Sequence, residues 1–161
     1  MSTYQLGFIG TGNMGGALAQ AAAKSGAGML LSNRTADKAV RLAAELGCAA
    51  GTNLEVAEGC KYIFLGVKPQ MIDGVAQSLA APIAASESTF VSMLAGVQLE
   101  RLTHLLGADK KIIRILPNTA CAVGQGVVLY CANGNVTDAD LAAFCSQKAS
   151  TILQVSCQSK K

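Results

Sequence analysis

Three glycines near the start of the chain have a spacing that could hold a phosphate group. Gly10, Gly12 and Gly15 follow an apolar run at residues 6–9, and an alanine-rich, helix-like stretch comes directly after them. The first glycine allows a tight turn, the second lets the backbone approach a pyrophosphate, and the third lets the helix pack against the strand. The helix N-terminus then offers N–H groups and partial positive charge to phosphates. This pattern predicts a dinucleotide-binding turn; the alternative is a strand-to-helix turn with only a structural role.

The residues about twenty positions further on bear on the choice of dinucleotide. Ser32, Asn33, Arg34 and Thr35 stand where NAD-specific folds carry an acidic residue, and none of the four is acidic. A carboxylate would repel a 2′-phosphate, whereas Asn33 and Thr35 can donate hydrogen bonds to one. Arg34 adds a charged, planar donor fork. The pattern favours NADP(H), with NAD(H) also possible; the alternative is an exposed turn arginine beside a helix cap.

Lys68 is a further residue that could contact a ligand. It stands between a continuous apolar run at residues 62–65 and Pro69. Pro69 disfavours helix at the residue before it, so Lys68 is expected to be extended in a loop over residues 67–70. A cation there would face the cofactor phosphates or an anionic substrate. A solvated loop lysine is the equal alternative.

Composition narrows the class of protein. The chain has 161 residues, of which 51% are hydrophobic and 14% charged, which suits one domain with a large core. A net charge of +3 without basic runs gives no case for nucleic acid. The six cysteines form no C-x-x-C pair and the one histidine, His104, has no cysteine at ligand spacing, so no metal site is expected. No apolar run reaches membrane length and no export signal precedes the first strand, so we expect a cytoplasmic protein with reduced thiols.

Strand and helix patterns alternate along the chain. Strand patterns fall at about residues 5–9, 29–32, 48–50, 62–65, 89–93, 111–116, 126–130 and 151–155, and helical patterns at about 13–24, 35–46, 53–59, 70–79, 99–107 and 137–149. Thr52 with Glu55 and Thr137 with Asp140 have capping spacing, and Pro82 is expected to limit the fourth helix. The alternation predicts a single α/β domain with a Rossmann-like, doubly wound, mainly parallel sheet over residues 1–156. Ligands bind such sheets outside the carboxyl ends of the strands.

Five segments together carry a family resemblance. They are Phe8-Ile9-Gly10-Thr11-Gly12-Asn13-Met14-Gly15, Ser32-Asn33-Arg34, Leu65-Gly66-Val67-Lys68-Pro69-Gln70, Ser92-Met93-Leu94-Ala95-Gly96-Val97 and Arg114-Ile115-Leu116-Pro117-Asn118-Thr119. In this order and spacing they resemble the N-terminal domain of pyrroline-5-carboxylate reductase. The resemblance implies hydride transfer from NAD(P)H to the C=N carbon of 1-pyrroline-5-carboxylate, which gives L-proline in proline biosynthesis. It also implies a homo-oligomer.

The same resemblance assigns residues to the cofactor. Those implied to hold the pyrophosphate are Ile9, Gly10, Thr11, Gly12, Asn13, Met14 and Gly15. Those implied at the adenosine end are Ser32, Asn33, Arg34 and, for the ribose, Asn53. Those implied to line the nicotinamide side are Val67, Lys68, Pro69, Ala95 and Gly96, while Pro117 and Asn118 border the reacting face. No residue has a certain catalytic role; Lys68 and Asn118 are weak candidates, and Cys121 has no evident base beside it.

The resemblance ends near the end of the sequence. Family members continue into a helical domain that dimerises and closes the substrate pocket, and residues 157–161 are expected to be a short polar tail where that domain would begin. We therefore expect the 161-residue chain to bind NADPH but to reduce pyrroline-5-carboxylate poorly or not at all. Two alternatives remain: a non-catalytic NADP-binding module, and another NADP-dependent enzyme on this fold, such as a β-hydroxyacid dehydrogenase relative or a coenzyme F420-type oxidoreductase.

Overall fold

An eight-stranded sheet forms the centre of this computed structural model, which describes residues 3–24, 26–116, 128–146 and 155–157. The strands are β1 (Tyr4–Ile9), β2 (Met29–Ser32), β3 (Ala49–Ala50), β4 (Cys60–Leu65), β5 (Thr89–Ser92), β6 (Lys111–Leu116), β7 (Val128–Ala132) and β8 (Val155–Cys157). Their order is β3-β2-β1-β4-β5-β6-β7-β8. Neighbouring strands run parallel except β6 and β7, which are antiparallel. The predicted Rossmann-like, mainly parallel sheet is confirmed.

Helices cover both faces of this sheet. They are α1 (Asn13–Ala23), α2 (Ala36–Leu46), α3 (Asn53–Gly59), α4 (Ile72–Ser78), α5 (Ala80–Ala85), α6 (Leu99–Leu106) and α7 (Asp138–Ser146). Alternate strand residues face opposite sides: Phe8 and Phe64 pack with α1, α2 and α7, and Ile9 and Leu65 pack with α3 to α6. Phe8 and Phe64 stack with ring centroids 4.7 Å apart. No helix in the described part of the chain is long and apolar enough to cross a membrane.

The chain reverses its direction of winding between β1 and β4. These strands are parallel neighbours, with Ile9 opposite Leu65, yet β1 leads through α1 to β2 and β4 leads through α4 and α5 to β5. A crevice opens outside the carboxyl ends of strands at such a point, and it is the usual ligand position in open α/β sheets. Gly10 and Gly66 follow these two strands, so the fold brings the turn after each strand to the same place.

The structure around the two prolines, Pro69 and Pro82, is partly as expected. The helix expected to end near Leu79 is α4, which ends at Ser78, four residues before Pro82; a new helix, α5, then begins, with Pro82 as its third residue. The expected loop at Pro69 was wrong, because Pro69 begins a short 3-10 turn, Pro69–Met71. A proline is tolerated in the first turn of a helix because the N–H there has no intrahelical partner to lose.

The bounds of the last two strands, β7 and β8, differ slightly from the predicted ones. The strand expected at about 126–130 is seen as β7, which reaches Ala132, and residues 126 and 127 lie outside the described residues. Of the strand expected at 151–155 only Val155 is described, and β8 extends from it to Cys157.

Both predicted capping pairs are present. The Thr52 N–H donates to Glu55 Oε1 at 3.1 Å, and the Glu55 N–H donates to Thr52 Oγ1 at 3.1 Å. At the start of α7, the Thr137 N–H donates to Asp140 Oδ2 at 2.9 Å and the Asp140 N–H donates to Thr137 Oγ1 at 3.0 Å. Each pair satisfies backbone N–H groups that a helix start leaves unpaired.

Asp140 also connects α7 to the sheet. Its Oδ1 accepts a hydrogen bond from Lys111 Nζ at 2.9 Å, so one carboxylate joins the start of α7 to the start of β6. The backbone N–H of Thr137 and the Lys111 ammonium lower the pKa of the Asp140 carboxyl from 3.8 to about 2. A carboxyl with a lowered pKa stabilises the fold above its unfolded pKa and loses that effect as pH falls through the folded pKa.

The Asp140→Asn variant should therefore change acid unfolding. Stability of the native chain should fall as pH drops from 3.8 toward 2, and the variant should lose that part of the pH dependence because asparagine does not titrate. Urea unfolding at a series of pH values measures the difference. Asp138→Asn, on the same helix, is the control for net charge. An unchanged acid-range slope in Asp140→Asn would contradict this role for Asp140.

Candidate functional site

Three glycines meet backbone to backbone at the ends of β1 and β4. Gly10 has φ +97, and a Cβ there would lie 2.6 Å from the carbonyl carbon of Gly66. A Cβ on Gly15 would overlap the carbonyl oxygen of Gly10, and one on Gly66 would lie 2.8 Å from that oxygen. The turn thus requires glycine at all three positions. Gly66 belongs to one of the family segments, but no role in the turn was predicted for it, because its requirement for glycine comes from the exit of the neighbouring strand.

Gly12 is different from these three glycines. It is the N-cap of α1 with an ordinary extended φ of −73°, and a Cβ built on it would meet nothing within 4 Å. Neither the conformation nor the packing of the chain calls for glycine there. A side chain at position 12 would fill the open space directly over the backbone. A closely bound ligand needs that space.

The N-terminus of α1 is suited to an anion. No side chain caps it, and its first turn has no acidic residue, whereas α2, α3, α4 and α6 each carry one and α7 carries two. Thr11, immediately before Gly12, is 8% exposed, and its Oγ1 is buried without a hydrogen-bond partner. An unpaired buried hydroxyl costs about 1–3 kcal/mol, so this position favours a ligand or water that accepts or donates a hydrogen bond.

An open groove of about 580 Å³ runs from this turn between α1 and α2. The residues lining it are Thr11, Gly12, Asn13, Gly16, Ala17, Gln20, Lys38, Arg41, Leu42 and Glu45. Lys38 and Arg41 lie one turn apart on α2 and form no ion pair within the described parts of the chain. Neither residue was predicted to contact a ligand, although their spacing after Arg34 places them on one side of a helix.

The end of β2 is joined to the glycine turn by side chains. Asn33 Oδ1 accepts a hydrogen bond from the Thr11 N–H at 3.0 Å, and Asn33 Nδ2 donates to the Thr35 carbonyl at 3.1 Å. Ser32 is buried, with its Oγ 2.6 Å from Asn53 Oδ1. Three of the residues predicted at the adenosine end, Ser32, Asn33 and Asn53, are therefore brought together beside the turn.

Arg34 and Thr35 are exposed at the same place. Arg34 makes no ion pair with any residue in the described ranges, so its guanidinium is available to a ligand. Thr35 occupies the N-cap of α2, but its side chain makes no capping hydrogen bond, which corrects the expected side-chain cap.

The residues predicted on the nicotinamide side follow β4 and β5 at the same edge. Val67 is half-buried against the core, and Lys68 is exposed with ψ 144°, the extended backbone expected before Pro69. Ala95 and Gly96 form an exposed turn after β5, with φ +76 at Gly96. Because β1, β4 and β5 are adjacent and parallel, these turns share the crevice edge with Gly10. Pro117, Asn118 and Cys121 lie outside the described residues.

A match to a protein-family model shows which family this chain belongs to. The model described as NADP oxidoreductase, coenzyme F420-dependent, matches residues 5–96, from β1 through the turn after β5. The chain belongs to this family. The match covers the glycine turn, the end of β2 and both turns assigned to the nicotinamide side, which are the parts of the NADP oxidoreductase fold just described.

Individual relatives of this NADP oxidoreductase domain confirm the resemblance seen in the sequence. Pyrroline-5-carboxylate reductase 3 of Macaca fascicularis is 32% identical over 132 residues, which are 80% of this chain and 48% of the relative. Pyrroline-5-carboxylate reductase of Escherichia coli is 36% identical over 143 residues, 86% of this chain and 53% of the relative. The chain spans about half the length of the curated relatives it matches. The crystal structure of Plasmodium falciparum pyrroline carboxylate reductase with NADP bound superposes with a TM-score of 0.82 at 25% identity, covering 98% of this chain and 58% of that one.

Other candidate positions on this NADP oxidoreductase domain fit a ligand less well. A cavity of about 630 Å³ lies at the amino ends of β4 and β5, the edge where such sheets do not bind ligands, and Glu58 and Glu87 line it. No three His, Cys, Asp or Glu residues in the described ranges lie close enough together to hold a metal ion. Burial raises the pKa of the Cys60 thiol to about 12, so Cys60 is a protonated core residue.

Alanine substitutions at Gly12 and Gly15, two glycines of the α1 turn, should differ in their effect on the free energy of unfolding. Gly15→Ala should destabilise the domain by about 1–3 kcal/mol, because a Cβ would overlap the Gly10 carbonyl oxygen. Gly12→Ala should change stability by less than about 1 kcal/mol, because its Cβ would enter open space. Urea unfolding of both variants measures this. Equal destabilisation by the two substitutions would contradict the packing described here.

Proposed function

We propose that this chain is the cofactor-binding domain of an NADP(H)-dependent reductase that delivers hydride to the C=N carbon of 1-pyrroline-5-carboxylate, giving L-proline. The observation that carries the cofactor part is the open space over Gly12, since the chain has no use of its own for glycine there. The acceptor part is supported by the curated relatives, which are named pyrroline-5-carboxylate reductases.

The glycine turn would hold the pyrophosphate. Gly12, Asn13, Met14 and Gly15 would provide backbone N–H groups at the start of α1, together with the partial positive charge of the helix. The Gly10 N–H donates to the Ser32 carbonyl and the Thr11 N–H donates to Asn33 Oδ1, so these two residues would shape the turn. The buried, unpartnered Oγ1 of Thr11 would donate a hydrogen bond to a phosphate oxygen. The absence of a carboxylate from the first turn of α1 leaves nothing there to repel the phosphates.

The groove cations would hold the 2′-phosphate. Arg34 is exposed without an ion pair among the described residues, and Lys38 and Arg41 line the groove that continues from Gly12. An arginine fork gives paired, charge-assisted hydrogen bonds to phosphate oxygens, and a lysine adds a point charge. This arrangement supports a preference for NADP(H) over NAD(H).

The turns after β4 and β5 would hold the nicotinamide side. Val67, Lys68, Pro69, Ala95 and Gly96 lie at the crevice edge, where they would position the ring and shield one side of it from water. The bound cofactor supplies the hydride, so the protein's main task is to align donor and acceptor. Lys68 and Asn118 are the candidates for contact with the reacting groups.

The resemblance also supports proposals for the compartment, the oligomeric state and the partners of the reductase. We place the reductase in the cytoplasm, as a homo-oligomer with no nucleic-acid or membrane partner. Free thiols at Cys48, Cys60 and Cys131 agree with a reducing compartment. The modest net charge of +3 agrees with a small-molecule substrate in place of a nucleic acid.

The description of the matched family favours a second candidate. That description names coenzyme F420, so the acceptor of the NADPH hydride would be the F420 deazaflavin. The two candidates share the cofactor site and differ in the acceptor. Oxidation of NADPH by the reductase with each acceptor in turn distinguishes them: oxidation that depends on pyrroline-5-carboxylate supports the first, and oxidation that depends on F420 alone supports the second.

Cofactor titration tests the shared site directly. The chain should bind NADPH more tightly than NADH, as read by enhanced nicotinamide fluorescence. Arg34→Ala should weaken NADPH binding by roughly tenfold and leave NADH binding nearly unchanged, because a charge-assisted hydrogen bond to the 2′-phosphate contributes about 1.5–3 kcal/mol.

Arg101→Ala is the matched control for this titration. Arg101 is an exposed arginine on α6 that pairs with Asp73 at 2.6 Å, away from the groove. Its loss should affect neither cofactor. Tighter binding of NADH than NADPH by the native chain would contradict the proposed preference, and binding of neither would contradict the proposed cofactor site.

A further inference from the structure

Asn33 contacts backbone on both sides of its amide group. Its Oδ1 accepts the Thr11 N–H at 3.0 Å across 22 positions of sequence, and its Nδ2 donates to the Thr35 carbonyl at 3.1 Å. The oxygen and one of the two N–H groups are therefore engaged without any ligand. The amide is also held in a single orientation, because only this orientation places a donor at the Thr35 carbonyl and an acceptor at the Thr11 N–H.

Thr11 depends on this contact. The residue is 8% exposed as a whole, and its backbone N–H makes a partly buried hydrogen bond. A backbone N–H that is withdrawn from water needs an acceptor. Asn33 is the acceptor. Thr11 is followed directly by Gly12, the N-cap of α1, so the hydrogen bond fixes the segment that leads into the helix start.

We infer that Asn33 is a positioning residue that holds the glycine turn in its cofactor-ready shape. This inference rests on the proposed function. A turn held in the bound shape before the ligand arrives loses less conformational freedom on binding, which raises affinity for any ligand the turn holds. Because NADPH and NADH share the pyrophosphate, the contribution of Asn33 applies equally to both cofactors.

The expected effect of each substitution at Asn33 on cofactor affinity depends on which hydrogen-bonding groups the new side chain retains. Asn33→Ala removes the acceptor, so NADPH and NADH should both bind roughly 2- to 10-fold more weakly, with their affinity ratio unchanged. Asn33→Asp keeps an acceptor for the Thr11 N–H and adds a negative charge. It should restore NADH binding toward the native value and leave NADPH binding weak, because the carboxylate repels the 2′-phosphate.

The Thr11 amide provides a readout that needs no cofactor. Its hydrogen exchange in the free protein, followed by NMR, should be roughly 2- to 10-fold faster in Asn33→Ala than in the native chain. Exchange in Asn33→Asp should stay close to native, because the acceptor is retained. Arg34→Ala should leave this exchange unchanged while it lowers the NADPH-to-NADH affinity ratio.

The results separate this inference from the proposed function. If Asn33→Ala weakens only NADPH binding, or leaves Thr11 exchange at the native rate, Asn33 is not the positioning residue and the inference is wrong, while the proposed cofactor site stands. If the native chain binds neither cofactor, the proposed function fails. A parallel loss for both cofactors, with NADH binding rescued by Asn33→Asp, is the result that the hydrogen bonds predict.

Discussion

Backbone contact among Gly10, Gly15 and Gly66 is the constraint on which the rest of the site depends. The Gly10 carbonyl oxygen lies so close to Gly15 and Gly66 that neither position has room for a Cβ. This contact lets β1, β4 and α1 converge where the sheet changes its direction of winding. Convergence places the helix start over the crevice, and Gly12 then leaves its backbone open to a ligand. The charges follow the same geometry: α1 begins without a carboxylate, and α2 contributes Lys38 and Arg41 to the adjoining groove.

The features that could be predicted from the sequence are those set by neighbours along the chain. Buried parallel strands give continuous apolar runs, so β6 was located to the residue, and β4 was located with its end correct and its start two residues late. Capping at Thr52 and Thr137 depends on residues three positions away and was confirmed at both. The glycine turn was predicted because the spacing of Gly10, Gly12 and Gly15 between a strand and a helix is itself a local sequence pattern. The resemblance to a family indicated a reductase. Composition and periodicity alone do not indicate this function.

The features that could not be predicted depend on partners distant in sequence. Asn33 was expected to face a phosphate, and its hydrogen bond to the Thr11 N–H spans 22 positions. Gly66 is required by the Gly10 carbonyl on the neighbouring strand, a contact that no local pattern contains. Helix α5 was not predicted, because a proline looks the same in sequence whether it only ends one helix or also stands in the first turn of the next. The role of Asn118 remains a prediction from resemblance.

The central claim is that a phosphate-bearing cofactor binds over Gly12 at the carboxyl edge of the sheet. Backbone amide NMR of the native chain during NADPH titration tests it most directly, because it reports the location of binding without prior choice of a site. The account predicts the largest shift changes at Thr11, Gly12, Asn13 and Arg34. Changes confined to the cavity at the opposite edge, around Glu58 and Ser88, or no changes at all, would contradict it.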